Sequence, residues 1–245
     1  MKKIIRLSLI LFCVSLNAQI GIEFNPSDLQ SVNTYNSLNT KSGFIDIDDI
    51  IGSPYLDDNF KNGKIIETVN NQIVNTHLRY SIFQDKFEIR PNLNEDKTLA
   101  LKRSSNYEFI YDGIKVNLVL NNKLFQEKDN GYVFLLLESE NDGYNLYKRY
   151  TQNFTPPKEA KTSYDTDKPA RLDTDIHYFI SKNITKDFIE LDDHRRRILD
   201  SFDSNLKSEM KDFMKSKNYK LRGDDAEIEN QMIEIISHYN SLLNK

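Results

Sequence analysis

Residues 107–150 read YEFIYDGIKVNLVLNNKLFQEKDNGYVFLLLESENDGYNLYKRY. Short runs rich in aromatic and β-branched residues are separated by Asp112-Gly113, Asn121-Asn122, Asp129-Asn130-Gly131 and Asn141-Asp142-Gly143. Such Asn, Asp and Gly pairs supply the positive φ angles that tight hairpins require. Ile114, Val116, Leu118 and Leu120 alternate with other residues, the period of a half-buried strand, and Tyr132–Leu137 is nearly all apolar, as suits a central strand. The spacing predicts strands over 107–111, 114–120, 123–126, 132–137 and 144–150, joined as an antiparallel meander.

The same grammar extends toward the N-terminus. A strand over 64–69 precedes one over 74–83, in which Leu78, Tyr80 and Ile82 point one way and His77, Arg79 and Ser81 the other. Gln84-Asp85 turns the chain into Lys86–Arg90, with Phe87 and Ile89 inward. Pro91 ends that strand because it cannot donate to a ladder. Residues 20–43 are rich in Asn, Ser and Thr and weakly periodic. They read as a flexible segment, with ordered structure starting near Phe44.

Toward the C-terminus, Pro156, Pro157 and Pro169 mark residues 151–171 as a long extended loop. Ile176–Ser181 and Phe188–Leu191 form one more hairpin. After Asp192 the period becomes helical: a short helix over 194–202, a stripe of Leu206, Met210, Phe213 and Met214, and a second of Ile228, Met232, Ile235, Ile236, Tyr239 and Leu243. Asp224 followed by Glu227 has the spacing of a capping box. Helices this short need packing partners. The expected fold is α+β: an antiparallel β meander, curled or sandwich-like, over residues 44–191, followed by two to three C-terminal helices over 192–245 that pack on it.

The first nineteen residues, MKKIIRLSLILFCVSLNAQ, have the order of a secretory signal peptide: a basic start at Lys2, Lys3 and Arg6, an apolar run from Leu7 to Leu16, and a small, polar exit. The run is shorter than the roughly 20 residues of a membrane-spanning helix. Phe12 stands before Cys13 where a lipoprotein signal wants a small residue. Removing this leader takes away three basic residues and no acid, so the formal charge moves from −4 to −7, and it removes the only cysteine. An acidic, thiol-free remainder excludes cysteine catalysis and disulfides. It also argues against nucleic acid, which needs a basic footprint.

No catalytic constellation is legible. There is no G-x-S-x-G elbow, and His77, His177, His194 and His238 are far apart in sequence. No H-E-x-x-H motif, cysteine pair or EF-hand loop points to a metal, and no Gly-rich phosphate loop to a cofactor. With 37 acidic residues, a carboxylate pair at glycosidase spacing carries little information. The one surface candidate is aromatic and basic: Tyr144, Tyr147, Arg149 and Tyr150, beside the Pro-rich loop. The alternative is that Tyr144 and Tyr150 simply cover the sheet core.

Gly52-Ser53-Pro54-Tyr55-Leu56, Leu78-Arg79-Tyr80 with Phe87-Glu88-Ile89, Tyr147-Lys148-Arg149-Tyr150 with the Pro/Lys loop after it, and Ile236-Ser237-His238-Tyr239-Asn240-Ser241 resemble a family of uncharacterised exported proteins of Gram-negative bacteria. The similarity spans most of residues 50–243, and the leader ending Asn17-Ala18-Gln19 is similar to theirs. The resemblance implies a periplasmic or extracellular envelope location and a β-then-helix layout, but no activity and no functional residues. The expectation is an exported, non-enzymatic binding or interaction module whose partner is an envelope protein or a small ligand. It uses no cofactor, and its mature chain has no transmembrane span. The alternative is a carboxylate-dependent hydrolase acting on envelope or extracellular polymers.

Overall fold

A computed structural model describes residues 28–32, 37–40, 43–94, 97–128, 130–139, 142–162, 164–182, 184 and 188–244. The leader and its cleavage site lie outside them. The strands are β1 (Leu29–Val32), β2 (Ser37–Thr40), β3 (Gly43–Asp46), β4 (Ile50–Ile51), β5 (Lys61–Glu67), β6 (Gln72–Ser81), β7 (Lys86–Arg90), β8 (Thr98–Leu101), β9 (Tyr107–Tyr111), β10 (Ile114–Val119), β11 (Gly131–Leu137), β12 (Asn145–Thr155), β13 (Ala170–Ser181) and β14 (Ile189–Leu191). Two helices follow, α1 (Lys207–Ser216) and α2 (Asp225–Leu243). The fold is α+β.

Twelve strands form one sheet in the order β1-β8-β7-β6-β5-β9-β10-β11-β12-β13-β14, with β4 added parallel to β13. The neighbours along that order are antiparallel. β2 and β3 pair as a separate hairpin.

One face of this sheet is aromatic, and it closes on itself. Phe87 of β7 stacks on Phe109 of β9 with ring centroids 4.2 Å apart and meets Tyr132 of β11 edge-on at 5.2 Å. Tyr80 of β6 meets Phe134 of β11 at 5.2 Å. In a flat sheet β7 and β11, five strand steps apart, would be separated by about 24 Å. Their rings touch because the sheet curls. Toward β12–β14 the same face is covered by helices: Leu146, Tyr178, Ile180 and Leu191 pack with Met210, Met214, Met232, Ile235, Ile236 and Tyr239. A smaller cluster of Val133, Tyr147, Phe179, Phe125 and Phe188 covers part of the outer face.

The helices start and dock as their sequence dictates. Asp224 Oδ1 accepts the Glu227 N–H at 2.8 Å and caps α2. At the far end of α2, the Asn240 amide pairs with the sheet like an added strand, accepting the Tyr144 N–H and donating to the Tyr144 carbonyl, each at 2.8 Å. This close approach needs Gly143, where a Cβ would lie 2.9 Å from the Asn240 amide. Among the described residues, no helix is long and apolar enough to cross a membrane.

Four sequence expectations are corrected. Part of the supposed flexible segment is strand: β1 pairs with β8, and β8 itself had no expected counterpart. Residues 123–126 are not a strand but the start of a 3-10 helix, Lys123–Lys128. Asn121 adopts a φ of 56°, Asn122 Oδ1 accepts the Leu124 N–H at 3.1 Å, and the turn drops Phe125 onto Phe179. The loop expected over 151–171 shrinks to 156–169, because β12 and β13 pair through Thr155↔Arg171. Their polar cross-strand contacts, such as Asn153 Nδ2 to Asp175 Oδ2 at 2.7 Å, hide a strand from a hydrophobicity pattern. The helix expected over 194–202 is only a 3-10 turn, Arg197–Ser201.

Replacing Phe87, which is fully buried at the centre of the curl, should test how the curl is held. Phe87→Ala should lower unfolding free energy by about 3–5 kcal/mol, read as a shift in the urea midpoint at constant m-value. An unchanged midpoint would mean that the two arms of the sheet do not depend on this ring.

Candidate functional site

A cleft of about 830 Å³ opens where the cover of the concave face changes from strands to helices. Its floor is Tyr150 of β12 with Ile176 and Tyr178 of β13, and Tyr55, Leu56 and Ile82 form one wall. Asp225 and Ile228, from the first turn of α2, form the other. Asp175, His177, Glu190, Asp192 and Asp193 line the rim. A concave, partly apolar volume of this size with a few placed polar groups is what ligand sites look like.

The rim is acidic, and its charges are unevenly matched. Asp175 accepts the Asn153 amide at 2.7 Å, and Glu190 bonds to His177 Nδ1 at 3.1 Å. Asp192 accepts the His194 N–H at 2.7 Å and the Arg197 guanidinium. Asp193 and Asp225 have no hydrogen-bond or ion-pair partner among the described residues. The tyrosine hydroxyls of the floor register this field. Burial raises the Tyr178 pKa well above the ordinary phenol value, and Glu229, Asp225 and Asp193 push it the same way. Burial raises Tyr150 as well, against the pull of Lys148. Lys148 lies beneath, donating to Glu229. Burial opposes its charge, but Tyr150 and Glu229 outweigh that and raise its pKa. Among the described residues, no group of three or more His, Cys, Asp or Glu side chains could hold a metal ion.

The surface candidates do not form one surface. Only Tyr150 reaches the cleft. Tyr144 stacks on Tyr239 of α2 at 5.7 Å. Tyr147 and Arg149 point through the opposite face of the sheet and are buried, Tyr147 against Phe188 and Arg149 over Phe125.

Sequence reading missed a relay that only register creates. Thr151 Oγ1 and His177 Nε2 are 3.1 Å apart, and His177 Nδ1 is 3.1 Å from Glu190 Oε1. β12 and β13 pair at Arg149↔His177 and Thr151↔Asp175, so Thr151 and His177 are diagonal neighbours. No local motif signals this, and reading 151–171 as a loop removed Thr151 from any strand. The other histidines lie elsewhere: His77 on the Arg90 carbonyl, His194 in the turn after β14, and His238 stacked on Phe213.

Scans of this chain against family models, curated proteins and solved structures find no match in any of the three. The resemblance to exported Gram-negative proteins gains no support from them.

The Asp192 carboxyl makes the rim pH-sensitive. The Arg197 hydrogen bond holds its pKa below the usual carboxylate range, burial opposes this, and the His194 N–H assists. The folded chain therefore binds this proton less tightly than the unfolded one. The resulting stability is complete above the unfolded carboxylate pKa of about 3.9 and is lost as pH falls through the lower folded value. The stability gap between wild type and Asp192→Asn, measured by urea unfolding, should narrow from about pH 6 to about pH 2. A gap that stays constant would show that this carboxyl contributes nothing through its titration.

Proposed function

We propose that this protein is an exported, non-enzymatic binding module whose cleft takes a cationic group. That group is a small amine or guanidinium compound, or the basic side chain of an envelope partner. Export rests on the basic, apolar, then small-polar order of residues 1–19. Cation binding rests on one observation: five carboxylates line a tyrosine-floored cleft, and Asp193 and Asp225 are left without partners among the described residues. A cation there gains from two sources. Carboxylates at the edge of a low-dielectric cleft attract it more strongly than they would in bulk water. Tyrosine faces add a cation–π contribution of about 0.5–2 kcal/mol.

Calorimetric titration of the purified protein with spermidine and with a lysine-rich peptide tests this reading. One of the two should bind saturably, with affinity that falls as salt rises. Asp193→Asn with Asp225→Asn should weaken binding roughly tenfold, about 1.4 kcal/mol. Saturable binding that the double variant leaves intact, or no saturable binding of either probe, would remove the cleft as a cation site.

A hydrolytic reading has one observation in its favour, the Thr151–His177–Glu190 relay, which has the hydroxyl–imidazole–carboxylate order of an activated nucleophile. This differs from the paired carboxylates expected of a hydrolase from sequence. It predicts turnover of an activated acyl ester such as p-nitrophenyl acetate, abolished by the near-isosteric Thr151→Val and by His177→Ala. Release no faster than in buffer, or equal release by Thr151→Val, would leave the relay as a cross-strand polar ladder.

A further inference from the structure

Of the two buried cations among the described residues, Lys148 donates to Glu229, whereas Arg149 has no carboxylate. The half-buried Arg79 and Arg103 pair with Glu88 and Asp85, and the half-buried Arg90 donates to the Thr98 hydroxyl. Arg149 is only 7% exposed, and it has no hydrogen-bond or ion-pair partner among the described residues. Its Nε is sealed from solvent without an acceptor. The guanidinium lies 4.7 Å over the Phe125 ring, which offers a π-face but no negative charge. A buried charge without a counter-ion is strongly unfavourable.

The guanidinium lines a second cavity, of about 280 Å³, together with Asp85, Asp175, Thr151, Gln152, Asn153 and His177. Asp85 cannot readily serve as its counter-ion. Oδ1 already accepts the Tyr80 hydroxyl at 2.6 Å and the Tyr132 N–H at 3.3 Å, and Oδ2 takes Arg103 at 2.6 Å. Asp175, on the rim, is exposed and engaged by Asn153. The chain also keeps room for the guanidinium. Gly131 opens β11, and a Cβ there would lie 2.3 Å from Arg149 Nε and 2.8 Å from its Cζ. Glycine in a strand often marks a close approach of this kind.

We infer that this cavity is an anion site, in which Arg149 holds one oxyanion, a carboxylate or a phosphate-type group. Its volume exceeds several times the roughly 30 Å³ that a water occupies, so it can accept the anion with part of the molecule that carries it. The guanidinium fork matches the geometry of carboxylate and phosphate oxygens. Hydroxyl and amide groups of Thr151, Gln152 and Asn153 stand on the same walls. The cavity shares Ile82, Tyr150, Asp175 and His177 with the cation cleft, but of the two only this cavity is lined by Arg149.

The full chain should be titrated separately with sodium acetate, phosphate and sulfate at constant ionic strength, with chloride as the reference. Calorimetry should show saturable binding of one anion per chain for at least one of the three, with a concentration-dependent rise in melting temperature. Preference for acetate would identify a carboxylate site, and preference for phosphate or sulfate a phosphate-type site. Arg149→Gln should weaken binding at least tenfold, while Arg149→Lys retains part of it. If Arg149→Gln does not fold, the Arg149 Nε–H resonance of ¹⁵N-labelled wild type gives the answer, because it should shift along the same saturation curve. No saturable binding beyond chloride, unchanged binding by a folded Arg149→Gln, or an unmoved Nε–H resonance would overturn the inference.

Discussion

The structure depends on the need to bury one long aromatic sheet face with too little helix to cover it. Two helices reach only the β11–β14 end among the described residues. Among the described residues no helix covers the β6, β7, β9 and β11 rings of Tyr80, Phe87, Phe109, Tyr132 and Phe134, and they become each other's cover. Non-directional burial sets how far the sheet curls, and edge-to-face ring geometry sets where it stops. The cleft is a by-product of this arrangement. It lies where self-covering gives way to helical cover and neither layer closes over Tyr150 and Tyr178.

Strand alternation then gives β12 two different chemistries. Lys148 and Tyr150 face the concave side, where an ammonium, a phenol and Glu229 are held together. Arg149 and Thr151 face outward, into a smaller cavity with His177. One segment, Tyr147-Lys148-Arg149-Tyr150, thereby contributes to the acid-rimmed cleft and, through Arg149, to a smaller pocket that shares Tyr150, Asp175 and His177 with it. The period of two puts Lys148 and Arg149 on opposite sides of the backbone.

Hairpins with strong turn signals were legible because local chemistry fixes them. Asp112-Gly113 and the alternation of Ile114, Val116 and Leu118 need no tertiary information. The capping of α2 by Asp224 and its buried stripe of Met232, Ile235, Ile236 and Tyr239 are equally local. What escaped depends on partners distant in sequence. β8 is four residues long and gains its identity from β7 and β1. The polar end of β12 is strand only because β13 supplies Asp173, Thr174 and Asp175 opposite it. Arg149 read as exposed because it is charged, and its burial follows from Phe125, Gly131 and the outer-face cluster. The relay of Thr151, His177 and Glu190 is a matter of register, which composition does not encode.

The pairing of Asn240 with Tyr144 has a mechanical meaning. It fixes one end of α2 to the sheet through two hydrogen bonds in peptide-like geometry, while Asp225 at the other end stands in the cleft wall. Fifteen residues of α-helix make a lever arm of about 22 Å, so a rotation of about 5° about the Asn240 pivot would move Asp225 by roughly 2 Å. Between those two ends Glu229 meets Lys148, so the helix is tied to the sheet at two polar points, and Asp225 in the cleft wall lies beyond both.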